Sequence, residues 1–309
     1  MASSLATIAQ LLSCPDDASS LQLSGSHLSC SSCSRLFPLH ADNLAEILPS
    51  RPREFSVSVN PAYSEGYLQA FNQPYSASQT SLAWGAEESV SKSWAHKRRR
   101  QVAAVQKLIT EKPRHGKSIL CDIAAGAGYY TFAYARCFEV VIHCDLSVES
   151  LSYAWRKARE LHIENIVFLR TDYFSLPFTQ SLDRIVCLDT LIRGEVHDSA
   201  VLESIVQSLK PDGSAVVDFH NWWHNPIRRL GMLRDNFCGN KSYRRRELGK
   251  LFGNSGIREF EIKPFVQEVD ADGLTGRLLT RLLPPTRFMV HVCQHSASTL
   301  APSGLAVAE

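Results

Sequence analysis

The chain has 309 residues, about twice the length of a typical single domain, so its length indicates one full domain with additions. Lys and Arg number 33 against 31 Asp and Glu, a net charge of +2, which argues against a protein that wraps nucleic acid over its whole surface and against a polyanionic tail. Hydrophobic residues make up 44% of the chain, enough for a sizeable core, and the apolar runs are too short for an ordinary membrane-spanning helix.

The first fifty residues carry three cysteines with a spacing typical of zinc ribbons. Cys14 is followed three residues later by Asp17, and Cys30 is followed three residues later by Cys33. A structural zinc site needs four ligands, usually from two C-x-x-C pairs. The fourth ligand would come from Asp17, His27 or His40. The sequence favours a degenerate, metal-free ribbon over residues 1–50, with structural zinc on the three cysteines as the alternative.

Cysteine use across the whole chain indicates a reducing compartment. The nine cysteines are an odd number spread over 309 residues, unlike a secreted disulfide framework. The first residues also lack the basic start and long apolar segment of a signal peptide. We therefore expect a cytoplasmic protein.

Residues 51–112 combine scattered aromatic side chains with a basic run, and they predict a helical linker and substrate lid. The aromatic residues are Tyr63, Tyr67, Phe71, Tyr75, Trp84 and Trp94. They suit a hydrophobic lid over a small substrate or a surface that stacks nucleic-acid bases. The basic runs Lys97–Arg100 and Arg244–Arg246 each open a predicted helix and serve either as solvated faces or as contacts to the phosphates of an RNA.

Residues 113–294 alternate short buried strands with amphipathic helices, a pattern typical of an α/β fold. The predicted strands are 118–123, 139–144, 166–169, 184–188 and 214–219, followed after a helix near 243–252 by 257–263 and 287–293. We expect a doubly wound, mostly parallel seven-stranded sheet with helices on both faces, its last two strands antiparallel at one edge. Residues 295–309 predict a disordered tail.

The segment that follows the first of these strands contains a glycine-rich turn. Gly126 and Gly128 allow a sharp turn and close approach of the backbone to a ligand, and the next helix presents free N–H groups. A dinucleotide-binding turn requires a third glycine, but Thr131 occupies that position. The turn therefore either binds a different ligand or is only a tight strand–helix connection.

Acidic residues end three successive strands, which favours a ligand site. A carboxylate at Asp122 suits a ligand with a cationic amino-acid end, and Asp145 can accept both ribose hydroxyl protons. Asp172 can hold an adenine amino group while the ring of Tyr173 covers the base. Each aspartate alone is typical of a loop or a helix N-cap, whereas three in this arrangement indicate a nucleoside site.

This region resembles the class I S-adenosylmethionine-dependent methyltransferases. The matching motifs are Asp122-Ile-Ala-Ala-Gly126-Ala-Gly128, Asp145, Asp172-Tyr173, Asp183-Arg-Ile-Val-Cys-Leu-Asp189 and Leu209-Lys-Pro-Asp212-Gly213. The resemblance implies that S-adenosylmethionine is bound by Asp122, Ala124, Gly126, Gly128, Asp145, Asp172, Tyr173 and Asp189. Ala124 departs from the family pattern, which usually has glycine there, and Arg193 stands where many relatives carry histidine. The cysteine-containing start resembles the zinc-ribbon module of some bacterial methyltransferases and the separate zinc-ribbon activator of some RNA and protein methyltransferases.

Methyl transfer needs mainly alignment of the acceptor, with a general base when the acceptor arrives protonated. Candidate groups follow the fourth and fifth predicted strands: Asp189, Arg193, His197, His220, Asn221 and His224. We expect His220 to be the base, with Asp189 and His224 as further catalytic candidates. Trp222 and Trp223 would wall an aromatic pocket, although they could equally cap the core.

Three functions remain open at this stage. The first is an enzyme that methylates an O or N atom of a small-molecule acceptor. The second is an RNA methyltransferase, and the third is a non-catalytic S-adenosylmethionine-binding scaffold or sensor.

Overall fold

The computed structural model describes residues 5–54, 61–76, 92–110, 119–224, 241–265, 285 and 287–293, which form one large sheet flanked by helices. In chain order, the strands are β1 (Leu21–Ser24), β2 (His27–Cys30), β3 (Leu36–Ala41), β4 (Leu44–Ile47), β5 (Ile119–Ile123), β6 (Val140–Asp145), β7 (Ile166–Thr171), β8 (Leu182–Cys187), β9 (Leu209–His220), β10 (Glu259–Phe265) and β11 (Arg287–Cys293). The helices are α1 (Leu5–Ile8), α2 (Pro61–Asn72), α3 (Lys92–Thr110), α4 (Tyr129–Tyr134), α5 (Val148–Glu160), α6 (Glu195–Ser208) and α7 (Arg245–Asn254).

The sheet contains eleven strands, so the predicted number of seven was wrong. Its order is β1-β2-β3-β4-β7-β6-β5-β8-β9-β11-β10. Strands β4 to β9 pair in parallel, and β11 pairs antiparallel with both β9 and β10, which confirms the predicted antiparallel edge. The additional strands come from the N-terminal region, which continues the sheet beyond β7. An edge strand with unpaired N–H and C=O groups invites such pairing.

Helices cover both faces of the sheet, as the alternating pattern predicts. On one face, α3, α4 and α5 bury Val105, Tyr134 and Leu151 against the sheet. On the other face, α6 and α7 bury Ile205 and Leu248. Side chains two residues apart in a strand lie on the same face of the sheet. Leu120 of β5 packs beneath α3, α4 and α5, so Asp122 points to that face too.

The N-terminal strands share the core of the parallel sheet. Leu12, Leu28 and Phe37 belong to the same buried cluster as Val167 and Leu169. Strand β4 pairs in parallel with β7, and the backbone N–H of Phe168 donates to the carbonyl of Asn43 at 2.8 Å. The first fifty residues are thus packed into the α/β core through strand pairing and apolar contacts.

Some predictions concern segments outside the described residues. These are the tail over 295–309 and the parts of 51–112 that contain Trp84. Among the helices that are described, none is long and apolar enough to cross a bilayer.

Candidate active site

The turn after β5 uses left-handed backbone at three positions. Ala124, Gly126 and Gly128 have φ values of 52°, 57° and 83°. At Gly128 a Cβ atom would lie 2.8 Å from the tip of the Phe132 ring, so any other residue would need that ring to move as well as a strained backbone. Ala124 adopts the conformation that glycine favours, and the tight turn into α4 forms despite the missing glycine.

Asp145 at the end of β6 connects this turn to the next one. Its carboxylate accepts the backbone N–H of Gly126 at 2.7 Å and that of Ser147 at 2.9 Å. Burial raises the pKa of Asp145, and these backbone donors oppose the shift. The structure therefore brings Gly126 and Asp145 together at the carboxyl edge of the sheet, where ligands bind in open α/β folds.

Asp122 lies beneath the turn, and only 1% of it is exposed. The Thr131 hydroxyl donates to its carboxylate at 2.7 Å and also contacts His143 Nδ1 at 2.9 Å. Burial raises the pKa of Asp122 to about 7 and lowers that of His143 to about 3. The sequence analysis missed His143. It lies beside Asp122 only because β5 and β6 pair in this register, which the sequence does not show.

Helix α2 covers the end of β7, where the adenine-binding residues were predicted. The Tyr67 hydroxyl donates to Asp172 at 2.6 Å, and the Phe174 N–H donates to the other carboxylate oxygen at 3.0 Å. Burial raises the pKa of Asp172. The hydroxyl groups of Tyr63 and Tyr173 are hydrogen-bonded to each other. Helix α2, which belongs to the segment predicted to form a lid, thus contacts Asp172 and Tyr173.

A buried histidine–aspartate pair extends this contact into α6. His197 Nε2 lies 2.9 Å from the Tyr63 hydroxyl and 3.1 Å from that of Tyr173. His197 Nδ1 donates to Asp198 at 2.7 Å, and the Tyr243 hydroxyl donates to the second Asp198 oxygen at 2.5 Å. The sequence named His197 only as one of several candidates, because the partners on α2 and near α7 are distant along the chain.

Asp189 follows β8 and belongs to an ion-pair network. Arg287 Nη1 lies 2.5 Å from a carboxylate oxygen of Asp189 and 2.5 Å from one of Asp218. The Tyr130 hydroxyl also donates to Asp189 at 3.0 Å. Burial raises the pKa of Asp218 to about 6, with the Arg287 charge opposing and the Asp189 charge adding to the shift. Neither Asp218 nor Arg287 was predicted, because each lies inside a strand pattern that reads as core.

His220 ends β9 and is half-buried. It lies two residues after Asp218 on the same face of the strand, and it pairs in register with Arg287 of β11. Trp222 and Trp223 follow in a short 3-10 turn, and the Arg244 guanidinium lies 4.1 Å from the Trp222 ring centroid. The side chain of His224 lies outside the described residues.

The N-terminal cysteines converge on one point. Ligand atoms of Cys14, Asp17, Cys30 and Cys33 all lie within 4.8 Å of one another. The Sγ atoms of Cys14 and Cys33 are 3.8 Å apart, and Cys30 Sγ lies 3.4 Å from Asp17 Oδ2. His40 is engaged elsewhere, since its ring stacks on Tyr75 at a centroid distance of 4.0 Å.

Comparison with known families decides what the glycine turn and the strand-end acids belong to. Residues 120–213 match a sequence model described as a methyltransferase domain. The chain is an S-adenosylmethionine-dependent methyltransferase. The matched range begins in β5 and includes the turn, Asp145, Asp172 and Asp189. This match favours the two enzymatic functions over the non-catalytic scaffold among the three that the sequence left open. A comparison with curated proteins finds no match.

Solved structures resemble this methyltransferase at low sequence identity. Magnesium protoporphyrin IX methyltransferase from Synechocystis, with bound S-adenosylhomocysteine, is 14% identical, covers 76% of this chain and 95% of its own, and has a TM-score of 0.48. The YcgJ protein of Bacillus subtilis is 18% identical over 64% of this chain and 99% of its own, with a TM-score of 0.45. Phosphoethanolamine N-methyltransferase 2 of Haemonchus contortus is 13% identical over 64% and 53%, also with a TM-score of 0.45. Similarities this weak do not identify the substrate of this chain.

Proposed function

We propose that this methyltransferase transfers the methyl group of S-adenosylmethionine to an O or N atom of a small-molecule acceptor. The observation that carries the proposal is the hydrogen bond between the Gly126 amide and the Asp145 carboxylate, 2.7 Å long. It brings together, at one edge of the sheet, a turn that a methionine tail can approach and a carboxylate that can accept ribose hydroxyls.

The residues fit this cofactor by the chemistry of their groups. Asp145 keeps acceptor capacity beyond its two backbone donors, because each carboxylate oxygen can accept more than one hydrogen bond. Asp172 and Tyr173 provide a carboxylate for an amino group and a ring for a base. Asp122 would act at longer range, since it is buried beneath the turn. Ala124, Gly126 and Gly128 would hold the methionine end with backbone groups.

When bound, S-adenosylmethionine supplies an electrophilic methyl group that needs no activation by the protein. The chain's own residues must therefore orient the acceptor, exclude water and remove a proton where the acceptor carries one. His220, half-buried at the end of β9, is the group that we assign as base. Asp189 is held in its ion pair with Arg287, which suits orientation better than proton removal.

Coverage of the sheet edge by α2 favours a small acceptor over an RNA. Through Tyr63 and Tyr67, α2 contacts Tyr173, His197 and Asp172, which supports a role for this helix as a lid. In the first basic run Arg99 is exposed, whereas its two neighbours lie over aromatic rings. Arg98 is buried over the Tyr129 ring, and Arg100 lies over Phe265. The arginines at 244–246 are exposed but sit on a separate helix start.

Two measurements test this proposal. Titration calorimetry of the full chain should detect S-adenosylmethionine and S-adenosylhomocysteine, and the absence of both heats would contradict it. Transfer of isotope-labelled methyl into a cell extract should then label the small-molecule fraction. Label that is released only by ribonuclease, together with salt-dependent binding of bulk RNA, would replace the small acceptor by an RNA.

The assignment of His220 has its own test. His220→Asn should lower kcat by about 10²- to 10⁴-fold, the usual contribution of a general base, while the affinity for S-adenosylhomocysteine stays the same. His162→Asn, at an exposed histidine on the far side of α5, is the matched control. Full turnover in the His220 variant would remove this residue from the mechanism.

We also infer that the cysteine cluster binds a structural zinc ion. A tetrahedral ion with Zn–S bonds of about 2.3 Å places its sulfurs about 3.8 Å apart, the separation that Cys14 and Cys33 have. The backbone N–H groups of Ser32 and Cys33 point at Cys30 Sγ from 3.4 Å, as donors to a thiolate would. Of the three side chains that the sequence offered as fourth ligand, Asp17 is the one that lies with the cysteines. Elemental analysis of the purified chain should find one zinc ion per chain, and the Cys30→Ser variant should have lost it. A native chain that contains no zinc would contradict the inference.

A further inference from the structure

Arg170 of β7 carries a charged guanidinium group at a position that the sequence pattern assigns to the core. Only 1% of it is exposed. In the sheet it stands between two acidic neighbours, with Glu46 of β4 in register on one side and Asp145 of β6 on the other. A buried guanidinium must find partners for all its donors, so its contacts show which parts of the chain it joins.

The first partner is the N-terminal region. Arg170 Nη1 donates to Glu46 Oε2 at 2.5 Å, and Glu46 is itself 23% exposed. The pair connects β7 to the strand that ends the N-terminal part of the sheet. A planar guanidinium suits such a buried ion pair better than an ammonium group does.

The second partner is the C-terminus of α2. Arg170 Nη2 donates to the carbonyl oxygens of Ala70 at 2.8 Å and Gln73 at 2.6 Å, with Phe71 at 3.4 Å. These are the carbonyls that a helix leaves without partners in its last turn, and a cation there also complements the helix dipole. Arg170 therefore fixes where the lid helix ends.

The third partner is the loop that carries the predicted ribose ligand. Arg170 Nε donates to the carbonyl of Leu146 at 3.2 Å, the residue directly after Asp145. The same loop is held a second time by the end of α2, since Gln73 Nε2 donates to Glu149 at 2.8 Å. Glu149 in turn accepts from the Ser147 hydroxyl at 3.0 Å, and Ser147 N–H donates to Asp145.

We propose that Arg170 is a positioning residue of the ribose site, which holds the loop over residues 145–149 in place and couples it to α2 and to the N-terminal strands. The inference rests on the proposed binding of the S-adenosylmethionine ribose by Asp145. Its consequence is that two segments outside the matched methyltransferase range, β4 and α2, help to set the affinity for the cofactor's ribose.

The test compares two ligands, so that ribose recognition is separated from general loss of structure. Calorimetry on the full chain gives the dissociation constants of S-adenosylhomocysteine and of its 2′-deoxy analogue, which lacks one ribose hydroxyl. The native chain should prefer the ribose form by about tenfold or more, the value of one hydrogen bond to a carboxylate. In Arg170→Lys this ratio should fall to about threefold or less.

The matched control is Arg184→Lys. Arg184 is also a buried arginine, on β8, and it donates to the Ile109 carbonyl away from the ribose loop. The Arg184→Lys variant should lose about as much stability as Arg170→Lys but keep the native ratio of the two dissociation constants. Glu46→Ala should shift the ratio in the same direction as Arg170→Lys and carries the test should the arginine variant not fold.

The outcomes distinguish a failure of the role of Arg170 from a failure of the proposed function. A native chain that discriminates, with Arg170→Lys and Glu46→Ala discriminating equally well, would overturn the role of Arg170 and leave the proposed function standing. A fall of the ratio in Arg184→Lys as large as in Arg170→Lys would overturn it too. A native chain that binds neither ligand would overturn this inference and the proposed function together.

Discussion

Asp122 is buried more deeply than its place near the end of a strand, before a glycine-rich turn, predicts. It lies near the end of a strand in a motif that is proposed to bind the cofactor, yet its carboxyl group is buried beneath the turn and faces Thr131 and α4. Desolvation, which disfavours the charged form, raises its pKa to about 7. The sequence identified the residue and its strand end, but its depth depends on how α4 packs over the sheet.

The raised pKa of Asp122 gives a pH dependence of stability. Between about pH 4 and pH 7 the folded chain keeps a proton that the unfolded chain releases, so this group's contribution to stability falls as the pH rises through that window and is constant above it. Asp122→Asn removes the titration. The free energy of unfolding of the variant, minus that of the native chain, should therefore rise by up to about 4 kcal/mol from pH 4 to pH 8. Chemical denaturation at several pH values measures this difference, and a constant difference would contradict it.

Ala124 stores backbone strain in the glycine-rich turn after β5. Its φ of 52° lies in the left-handed region, which costs a residue with a Cβ atom roughly 1–2 kcal/mol. Ala124→Gly relieves this strain, while the greater freedom of unfolded glycine offsets part of the gain. We expect the variant to be as stable as the native chain or more stable by up to about 1 kcal/mol. Ala158→Gly, in the buried interior of α5, should instead lose at least about 1 kcal/mol; equal losses in a denaturation experiment would refute the strain.

At the scale of elements, β8, β9 and β11 are held together by one buried charge cluster. Arg287 of β11 bridges Asp218 of β9 and Asp189 after β8, and Gln101 of α3 donates to Asp218 at 2.8 Å. Arg287 can reach both carboxylates only while β11 is paired with β9, because that pairing sets the position of its side chain. The cluster therefore ties the antiparallel edge of the sheet to the predicted cofactor end of β8.

Removal of the central cation should be costly. Arg287→Met leaves the buried carboxylate of Asp218 and the partly buried one of Asp189 without their counter-charge. Loss of one partner of a buried ion pair typically destabilises a protein by about 3–5 kcal/mol. Arg245→Met, at an exposed arginine that opens α7, should change stability by less than about 0.5 kcal/mol. Thermal or urea unfolding of the two variants makes the comparison. A loss below about 1 kcal/mol in Arg287→Met would mean that the cluster does not hold the edge together.

The elements that the sequence predicted well are those with strong local patterns. Strands β5 to β8 and the second half of β9 are short, mostly buried apolar runs, whereas β9 begins at Leu209, before the predicted strand over 214–219. Helices α5 and α6 bury the apolar faces that their spacing indicates. The pairing of β1 to β4 with the parallel sheet was not predicted. Their residues alternate weakly, and the partner strand β7 lies more than a hundred residues further along the chain.

For the whole molecule, the main finding is that the N-terminal region and the methyltransferase domain share one sheet and one core. Leu12, Leu21, Phe37 and Ile47 are buried among residues of the parallel strands. Each such side chain contributes about 1.5–3 kcal/mol when it is buried rather than exposed, so loss of these contacts would destabilise the shared core. The predicted ribbon would thus be a structural part of the enzyme.

Deletion of residues 1–50 should therefore abolish cooperative folding. The truncated chain would expose the edge of β7 together with the apolar surface that the N-terminal strands cover. We expect aggregation, or a broad unfolding transition in calorimetry, where the full chain shows a single one. Deletion of residues 295–309, which the sequence predicts to be a disordered tail, should leave the transition unchanged. A soluble truncated chain with a native-like transition would show that the two regions fold independently.

The sequence by itself determined the α/β class, the order of the central strands along the chain, the glycine turn and the acidic strand ends, because these depend on local periodicity and on motifs of adjacent residues. Only the tertiary structure decided that Asp122 is buried, that Arg170 and Arg287 are charged centres within the core, and that Asp17 completes the cysteine cluster. Each of these depends on which strands lie side by side. Strand pairing joins residues that are far apart in the chain, and the free energy of a buried charge is set by those neighbours rather than by the residues before and after it.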